Sequence, residues 1–168
     1  MSYRNKTYVA FASEDIKYYW LMDAWRKNDH IDFEFFNAHD LFQARDTSTP
    51  DTIKRRLRER MKNAKQIVFL GSKDARRKGG DYNTFLGYEV EILKEFKLPV
   101  VVANINGMRE SDERFIPSPL FGVNYYTLSV SFQPKIIKYA LDNFAPAFDS
   151  SKTGAVHYIP DVYSRLGL

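Results

Sequence analysis

The amino-acid sequence predicts an α/β fold, a three-layer sandwich with a central five-stranded parallel sheet. Short apolar runs typical of strands alternate along the chain with amphipathic segments typical of helices. The runs at 66–71 and 99–105 are almost continuously apolar, as expected for strands that are covered on both faces. Alternation of this kind favours parallel strands joined by right-handed crossovers, with helices on both faces of the sheet.

The predicted elements follow one another from residue 7 to residue 144. The predicted strands span 7–12, 32–36, 66–71, 99–105 and 124–128. The predicted helices span 16–28, 52–63, 83–97 and 131–144, so the order of elements is that of a flavodoxin-like sandwich. The segment after Phe144 has no clear period, and we expect it to pack on the domain or to trail from it. We therefore assign 1–144 to one domain and 145–168 to a C-terminal extension.

Composition excludes several kinds of site. The 168-residue chain contains no cysteine, which rules out disulfides, thiolate metal sites and a cysteine nucleophile. His30, His39 and His157 lie far apart in the sequence, so we expect no metal site. No apolar segment approaches the ~20 residues that a membrane helix needs, and the N-terminus has no signal-peptide core. We therefore expect a cytoplasmic protein without a membrane partner.

The net charge of +4 is unevenly distributed. Seven lysine and arginine residues lie between Lys54 and Lys65, and three more follow at 76–78. Such a patch can attract nucleic acid or a phosphate-rich small molecule. It can also be the solvated face of an amphipathic helix. We favour the solvated face, because no aromatic residues are interleaved with these charges to stack on bases.

Several phosphate-binding and catalytic motifs are missing from the sequence. No glycine-rich turn ends in Lys-Ser or Lys-Thr, and residues 13–15 stand where a dinucleotide-binding fold has spaced glycines. Residues 70–72 stand where a receiver domain has its acceptor aspartate. No serine lies in a glycine-flanked nucleophile elbow. The chemistry must therefore come from other residues.

One carboxylate is the main candidate for chemistry. The helix predicted at 83–97 has an apolar face formed by Phe85, Tyr88, Ile92 and Phe96. Glu89 lies along the edge of this face, whereas Glu91 and Glu95 point to solvent. A carboxylate turned partly into an apolar face must be paired, protonated or used. Glu89 is therefore either a catalytic residue or a structural one with a buried partner.

We expect a ligand site at the carboxyl ends of the strands, near the change in strand order. Phe11, Ala12 and Ser13 end the first strand, and the loop that leads to Glu89 follows the third. The long connection at 37–51 should overhang the same edge of the sheet.

Three segments occur in an order and spacing that resemble a known family. Residues 9–15 form an apolar strand that ends in a polar turn, residues 53–72 form a helix followed by a buried strand, and residues 85–89 place an aromatic ring four positions before a glutamate. Together they resemble a TIR domain, and more closely the TIR-like family that includes the ThsB proteins of the Thoeris anti-phage system. The resemblance covers 7–144. Ala12 and Ser13 replace the serine and tyrosine of typical first boxes, which weakens the expectation of adaptor-style assembly more than that of catalysis.

The resemblance implies cleavage of NAD+ between nicotinamide and ribose, with NAD+ as substrate and no further cofactor. It implies that Glu89 holds the ribose and stabilises an oxocarbenium-like transition state. The substrate-binding residues that it implies are Phe11, Ala12, Ser13, Arg45, Asp46, Asn83 and Phe85. Phe85 would stack on nicotinamide or pack in the core. Asn83 would donate to the substrate or cap the helix, and we favour the cap.

The product and the partners follow from the same resemblance. Attack by water gives ADP-ribose, whereas an internal nucleophile gives a cyclic product, and the sequence is compatible with both. ThsB relatives make a cyclic ADP-ribose isomer, which implies self-association on activation and a separate effector protein that responds to the product. The alternative is a non-catalytic TIR-like interaction module that assembles through its sheet edge, loops and basic patch. A sensor that binds a nucleotide without cleaving it is a third possibility.

Overall fold

The computed structural model describes residues 6–33, 36–37 and 49–168. Its central layer is a parallel sheet with the strand order β2-β1-β3-β4-β5-β6. The strands are β1 (Lys6–Ala10), β2 (Phe36–Asn37), β3 (Gln66–Gly71), β4 (Val100–Asn104), β5 (Tyr126–Ser131) and β6 (Gly154–His157). The helices are α1 (Ile16–Lys27), α2 (Pro50–Lys62), α3 (Lys73–Gly79), α4 (Phe85–Glu95), α5 (Pro134–Asn143) and α6 (Pro160–Arg165).

This architecture confirms the predicted three-layer α/β sandwich and adds a sixth strand to the five that were predicted. The strand order changes direction between β1 and β3, which pair in register from Thr7 with Gln66 to Ala10 with Phe69. Their carboxyl ends therefore mark the place where a fold of this kind binds its ligands. Among the described residues, no helix is long and apolar enough to cross a membrane.

The two faces of the sheet carry separate apolar cores, because successive strand residues point to opposite sides. On β1, Tyr8 and Ala10 face one core and Val9 faces the other. The first core, called the α2–α4 core below, includes Leu57, Met61, Ile67, Phe69, Leu86, Val90, Leu93, Val100 and Val102. The second core includes Tyr19, Met22, Val68, Leu70, Val101, Leu128, Ile136, Ile137, Leu141 and Tyr163.

The second strand differs from its prediction. The structure has β2 at Phe36–Asn37. Phe33 lies in a turn before this strand, and the Phe33 N–H donates to the Ile31 carbonyl at 2.8 Å. The Phe33 ring is buried and meets Trp25 edge-on, with 5.6 Å between ring centroids. The alternation of aromatic and polar residues predicted a strand, but the turn places this ring against α1 instead.

The helix α3 was not predicted. Its cap is Ser72, whose hydroxyl accepts a hydrogen bond from the Ala75 N–H at 2.9 Å. Its buried residues are the small Ala75 and Gly79, so the helix has no stripe of large apolar side chains that periodicity could reveal.

The segment after Phe144 contributes both a strand and a helix to the fold. The strand β6 pairs with β5 from Tyr126–Gly154 to Ser129–His157. On α6, the Tyr163 side chain is buried, and its hydroxyl accepts a hydrogen bond from the Ser131 N–H at 3.1 Å. The last 24 residues named as an extension, 145–168, thus pack on the domain through the sheet and the second core.

Candidate active site

The helix α4 begins at a capped and crowded turn. Its cap is Thr84, whose hydroxyl accepts from the Gly87 N–H at 3.0 Å. The expectation that Asn83 is the cap was therefore wrong: its side chain is exposed, and its N–H donates to Asp81 Oδ1 at 2.9 Å. A Cβ at Gly87 would lie 1.9 Å from the Asp81 carbonyl oxygen, so the first turn of α4 packs directly on the preceding loop.

The buried face of α4 is rotated relative to the prediction. Phe85 is 42 % exposed, and Tyr88 and Phe96 are half-buried. The buried residues are Leu86, Gly87, Glu89, Val90, Ile92 and Leu93. On the neighbouring helix α2, Lys54 Nζ lies 5.4 Å from the centre of the Tyr88 ring, and the Arg58 guanidinium lies 5.0 Å from the centre of the Phe96 ring. Glu89 lies within the buried face and not along its edge.

Glu89 enters the α2–α4 core next to a tyrosine of β1. Its side chain is 5 % exposed, and that of Tyr8 is 0 % exposed. Tyr8 is a polar neighbour of the Glu89 carboxyl, and its hydroxyl lowers the pKa of that carboxyl. The carboxylate oxygen Oε2 is one of five buried side-chain oxygens that have no hydrogen-bond partner among the described residues, the others lying on Asn104, Thr127, Ser129 and Ser131. A buried acceptor without a donor is costly, and of these five oxygens Oε2 is the one that belongs to an ionisable group.

The electrostatics of the pair follow from burial. Removal from water raises the pKa of the Glu89 carboxyl to about 8, and the Tyr8 hydroxyl acts in the opposite direction. Burial and the neighbouring Glu89 raise the pKa of the Tyr8 hydroxyl well above its usual value, whereas Arg60 on α2 lowers it. A carboxyl with a raised pKa holds its proton more tightly than a solvated one, and a cation placed beside it would favour its ionised form.

The three residues that follow β1 lie in different surroundings. Ala12 is buried in the α2–α4 core, on the same side of the sheet as Tyr8. Phe11 packs on the opposite side, where its ring stacks on Tyr19 with 5.2 Å between centroids. Ser13 is exposed. Of these three predicted substrate-binding residues, Ala12 shares the layer of Glu89, and Phe11 does not face it in this structure.

A lysine of α3 spans the gap between the ends of β1 and β3. Lys78 Nζ donates to Ser13 Oγ at 3.0 Å and to Glu14 Oε1 at 2.6 Å. This ion pair lowers the pKa of the Glu14 carboxyl. Sequence reasoning did not single out Lys78, because it was one of several charges in a segment read as a loop.

A second buried carboxyl lies at the same place in the fold. Asp15 is 5 % exposed, and its Oδ2 accepts a hydrogen bond from the Ser72 hydroxyl at 2.5 Å. Burial raises the pKa of the Asp15 carboxyl, and the Ser72 hydrogen bond opposes this shift. The contact joins the turn after β1 to the end of β3. Sequence reasoning placed both residues near this edge but did not predict their contact.

The predicted site residues that the structure describes therefore lie in different surroundings. Phe85 lies one helical turn before Glu89, with its ring partly in solvent. Arg45 and Asp46 lie outside the described residues. Within the described ranges, no group of three or more histidine, aspartate or glutamate side chains is arranged to hold a metal ion.

Comparison with known proteins identifies the family. A family model described as the TIR-like domain of the Thoeris protein ThsB matches residues 8–110. The match begins at Tyr8, extends beyond β4 and includes Glu89 and the whole of α4. A search of the curated proteins found no match. Because the matched residues make up more than half of the chain, this protein belongs to the ThsB TIR-like domain family.

Proposed function

We propose that this protein is a TIR-type NAD+ glycohydrolase or ADP-ribosyl cyclase that acts in anti-phage defence, with Glu89 as its catalytic carboxylate. The observation that carries the proposal is the buried Glu89 Oε2 without a hydrogen-bond partner among the described residues. Membership of the ThsB TIR-like family supports the assignment, because the match includes this residue. A strongly shifted, incompletely bonded carboxyl is typical of functional sites.

The chemistry of NAD+ cleavage suits a single carboxylate. The bond between nicotinamide and ribose breaks through a transition state with positive charge on the ribose, which a carboxylate stabilises. Nicotinamide leaves as a neutral ring and takes the bonding electrons, so the reaction requires no general acid. Glu89 must be ionised for this role. The positive charge of the bound nicotinamide ring favours that form, which offsets the effect of burial on the pKa of Glu89.

Access to Glu89 requires a change in the structure. The side chain is 5 % exposed, so a ribose can reach it only after neighbouring groups move. We infer that the structure represents a resting form and that self-association opens the site. This inference accords with an enzyme that must stay idle until infection.

The other predicted residues take supporting roles in this proposal. Phe85, which is partly exposed one turn before Glu89, would stack on the nicotinamide ring. Ser13 and Asn83, both exposed near the same edge, would donate hydrogen bonds to the substrate. Phe11 and Ala12 would form the floor, and Arg45 and Asp46 would reach in from the connection before α2. We further propose that a cyclic ADP-ribose-type product signals in the cytoplasm to a separate effector protein.

The test is nicotinamide release from NAD+ by the purified protein at high concentration with a crowding agent. Wild type is compared with Glu89→Gln and with Glu91→Gln, which changes an exposed glutamate two positions away on the same helix. We expect release by wild type and Glu91→Gln, and a loss of at least about 10³-fold in Glu89→Gln. The mass of the product then separates ADP-ribose from its cyclic form, which is lighter by one water.

A second function is favoured by one observation. A polar neighbour such as Tyr8 beside Glu89 is also what a purely structural carboxyl would have in a non-catalytic interaction module. In that case Glu89→Gln leaves assembly unchanged, and reversal of an exposed charge of α2, such as Arg55→Glu, disrupts it. Absence of nicotinamide release under conditions where the wild type assembles would favour this module over the enzyme.

A further inference from the structure

We propose that Lys78 is a substrate-binding residue of the candidate active site: its ammonium group leaves the Glu14 carboxylate and binds the diphosphate of NAD+. This inference rests on the proposed function and adds to it the residue that recognises the anionic part of the substrate. Lys78 lies outside the residues that the sequence analysis assigned to the site.

Lys78 connects the turn after β1 with the helix that carries Glu89. Its Nζ donates to Ser13 Oγ at 3.0 Å and to Glu14 Oε1 at 2.6 Å. Its backbone carbonyl accepts a hydrogen bond from the Thr84 hydroxyl at 2.6 Å, and Thr84 is the cap of α4. One residue therefore links the carboxyl end of β1, where a fold of this kind binds ligands, to the first turn of α4.

The helix α3, which contains Lys78, lies on the same side of the sheet as Glu89. Ala75 of α3 and Ala12 after β1 are both buried in the α2–α4 core. A Cβ at Gly87 would lie 3.1 Å from the Lys78 carbonyl oxygen, so α3 is in close contact with the first turn of α4. Glu89 follows Gly87 by two residues. Lys78 is therefore a cation beside the candidate site.

The three consecutive cations of α3 make different contacts. Arg76 Nε donates to the Glu113 backbone carbonyl at 2.8 Å, in the loop after β4. Arg77 pairs with Asp74 at 3.0 Å, within α3 itself. Lys78 is the member of this group whose charged end contacts the turn after β1. Arg77 thus carries the same charge at the neighbouring position with a different partner.

The Glu14 carboxylate is a replaceable partner for Lys78. Their side chains are 42 % and 22 % exposed, so water screens the ion pair and reaches both groups. A diphosphate carries two negative charges and several acceptor oxygens, which makes it a stronger partner for an ammonium group than one carboxylate. The exchange keeps Lys78 paired in both states and releases Glu14 to solvent.

The diphosphate lies away from the bond that breaks in the proposed reaction. In NAD+ it is joined to the nicotinamide ribose by a methylene carbon, and its charge is the same in the substrate and in the transition state. A cation that binds it therefore stabilises both states equally. We expect Lys78 to determine the affinity for NAD+ and to leave the chemical step unchanged.

The first experiment measures ADP binding by isothermal titration calorimetry. ADP carries the diphosphate and lacks nicotinamide, so binding is observed without turnover. We expect Lys78→Met to bind ADP about tenfold more weakly than wild type, because a charge-assisted hydrogen bond is lost. Glu14→Gln should bind ADP about threefold more tightly, because the competing carboxylate is removed. Arg77→Met, which removes the same charge from the next position, should match wild type within about twofold.

Three results of this titration would overturn the proposal. The first is equal affinity of wild type and Lys78→Met for ADP, or binding of adenosine, which has no phosphate, as tightly as ADP. The second is weaker binding of ADP by Glu14→Gln, since Glu14 would then support the site and not compete for it. The third is absence of ADP binding by wild type, because the partly exposed Lys78 is accessible without a change at Glu89.

Kinetics separate a binding role from a structural one. For nicotinamide release, Lys78→Met should raise the KM for NAD+ about tenfold and leave kcat within about twofold of wild type. A fall in kcat with an unchanged KM would overturn the proposal. If Lys78→Met does not fold, Glu14→Gln still tests the proposal, because loss of structure cannot tighten binding.

The two measurements distinguish this inference from the proposed function. If wild type releases no nicotinamide but ADP binding follows the expected order of variants, the proposed function fails and the diphosphate contact stands. If wild type releases nicotinamide and Lys78→Met changes neither ADP binding nor KM, the function stands and the role of Lys78 is refuted.

Discussion

Glu89 and Asp15 are two buried carboxyl groups with the same exposed fraction and with different hydrogen-bond partners. Each is 5 % exposed, and burial raises the pKa of each. Asp15 accepts a 2.5 Å hydrogen bond from Ser72, and that hydroxyl in turn caps α3. Glu89 has Tyr8 as a polar neighbour, and its Oε2 has no partner among the described residues.

The comparison shows that two carboxyl groups with equal exposure can differ in how completely they are hydrogen-bonded. Asp15 lies where the fold binds ligands, yet its contact with Ser72 joins the ends of β1 and β3 and therefore has a structural use. Glu89 lies in the α2–α4 core, and an oxygen without a hydrogen-bond partner provides no such contact between elements. Four changes test this contrast.

The largest expected effect is on the pH dependence of stability at Glu89. Its pKa rises from 4.5 in the unfolded chain to about 8 on folding, so the folded protein binds a proton that the unfolded chain has released. The resulting stabilisation is complete below pH 4.5 and is lost as the pH rises through 8. Glu89→Gln should therefore be more stable than wild type at pH 9, relative to pH 5, by on the order of 4 kcal/mol.

Urea unfolding at pH 5 and pH 9 measures this difference. Glu91→Gln is the control, since its side chain is exposed, and it should follow wild type. Parallel profiles for wild type and Glu89→Gln would mean that the carboxyl is solvated in the folded protein.

The second effect concerns Ser72. Ser72→Ala removes both the hydrogen bond to Asp15 and the cap of α3, so we expect a loss of about 3 kcal/mol in the free energy of unfolding. Ser164→Ala, at an exposed serine of α6, should change it by less than about 0.5 kcal/mol. Equal stabilities for the two variants would show that the Asp15–Ser72 contact does not support the fold.

A smaller effect is expected for Asp15→Asn. The amide oxygen can still accept from Ser72, so we expect a loss of about 1 kcal/mol near neutral pH. Burial raises the pKa of Asp15 above 3.8, so the proton that Asp15 binds stabilises the folded wild type. This stabilisation is lost as the pH rises through the pKa of Asp15 in the folded protein, whereas the stability of Asp15→Asn has no such dependence. Thermal unfolding between pH 3 and pH 7 tests this, and a slope retained in the variant would contradict it.

The smallest effect is expected for Lys78→Ala. Its ion pair with Glu14 is partly exposed, with side-chain exposures of 22 % and 42 %. Solvent screens such a pair, so the free energy of unfolding should fall by less than about 1 kcal/mol, and less still in high salt. A loss as large as that of Ser72→Ala would indicate that Lys78, and not Ser72, holds the two strand ends together.

How much of this arrangement the sequence could reveal depends on the range of the contacts. The apolar runs of β3 and β4 and the glutamate of the TIR-like motif are local patterns, and each was identified from the residues. Tyr8 and Glu89 lie far apart in the chain, and a tyrosine in an apolar strand gives no sign of an acidic partner. The surroundings of α4 also involve another element, because Lys54 and Arg58 of α2 lie beside the rings of Tyr88 and Phe96. Lys54 and Arg58 have no aromatic residues next to them in the sequence, whereas in the folded protein each lies beside an aromatic ring.

Short and half-covered elements were the other source of error. The strand β6 spans four residues, none of them fully buried, so neither length nor hydropathy distinguishes it from a loop. The β5 strand, by contrast, was predicted at 124–128, and in the structure it spans Tyr126–Ser131. The segment of β6 forms a strand because it pairs with β5, and local sequence does not reveal which strands pair with each other.

The position of β6 affects how easily the protein could aggregate. It lies along the outer side of β5, which is a longer strand. Without β6, the backbone N–H and C=O groups on that side of β5 could pair with a strand of another molecule. Proteolytic cleavage between 145 and 153, followed by loss of the segment after the cut, would expose that edge of β5 and the surface that Tyr163 now covers. We expect the remaining fragment to be prone to edge-to-edge aggregation, so β6 covers the edge of β5 as well as completing the sheet.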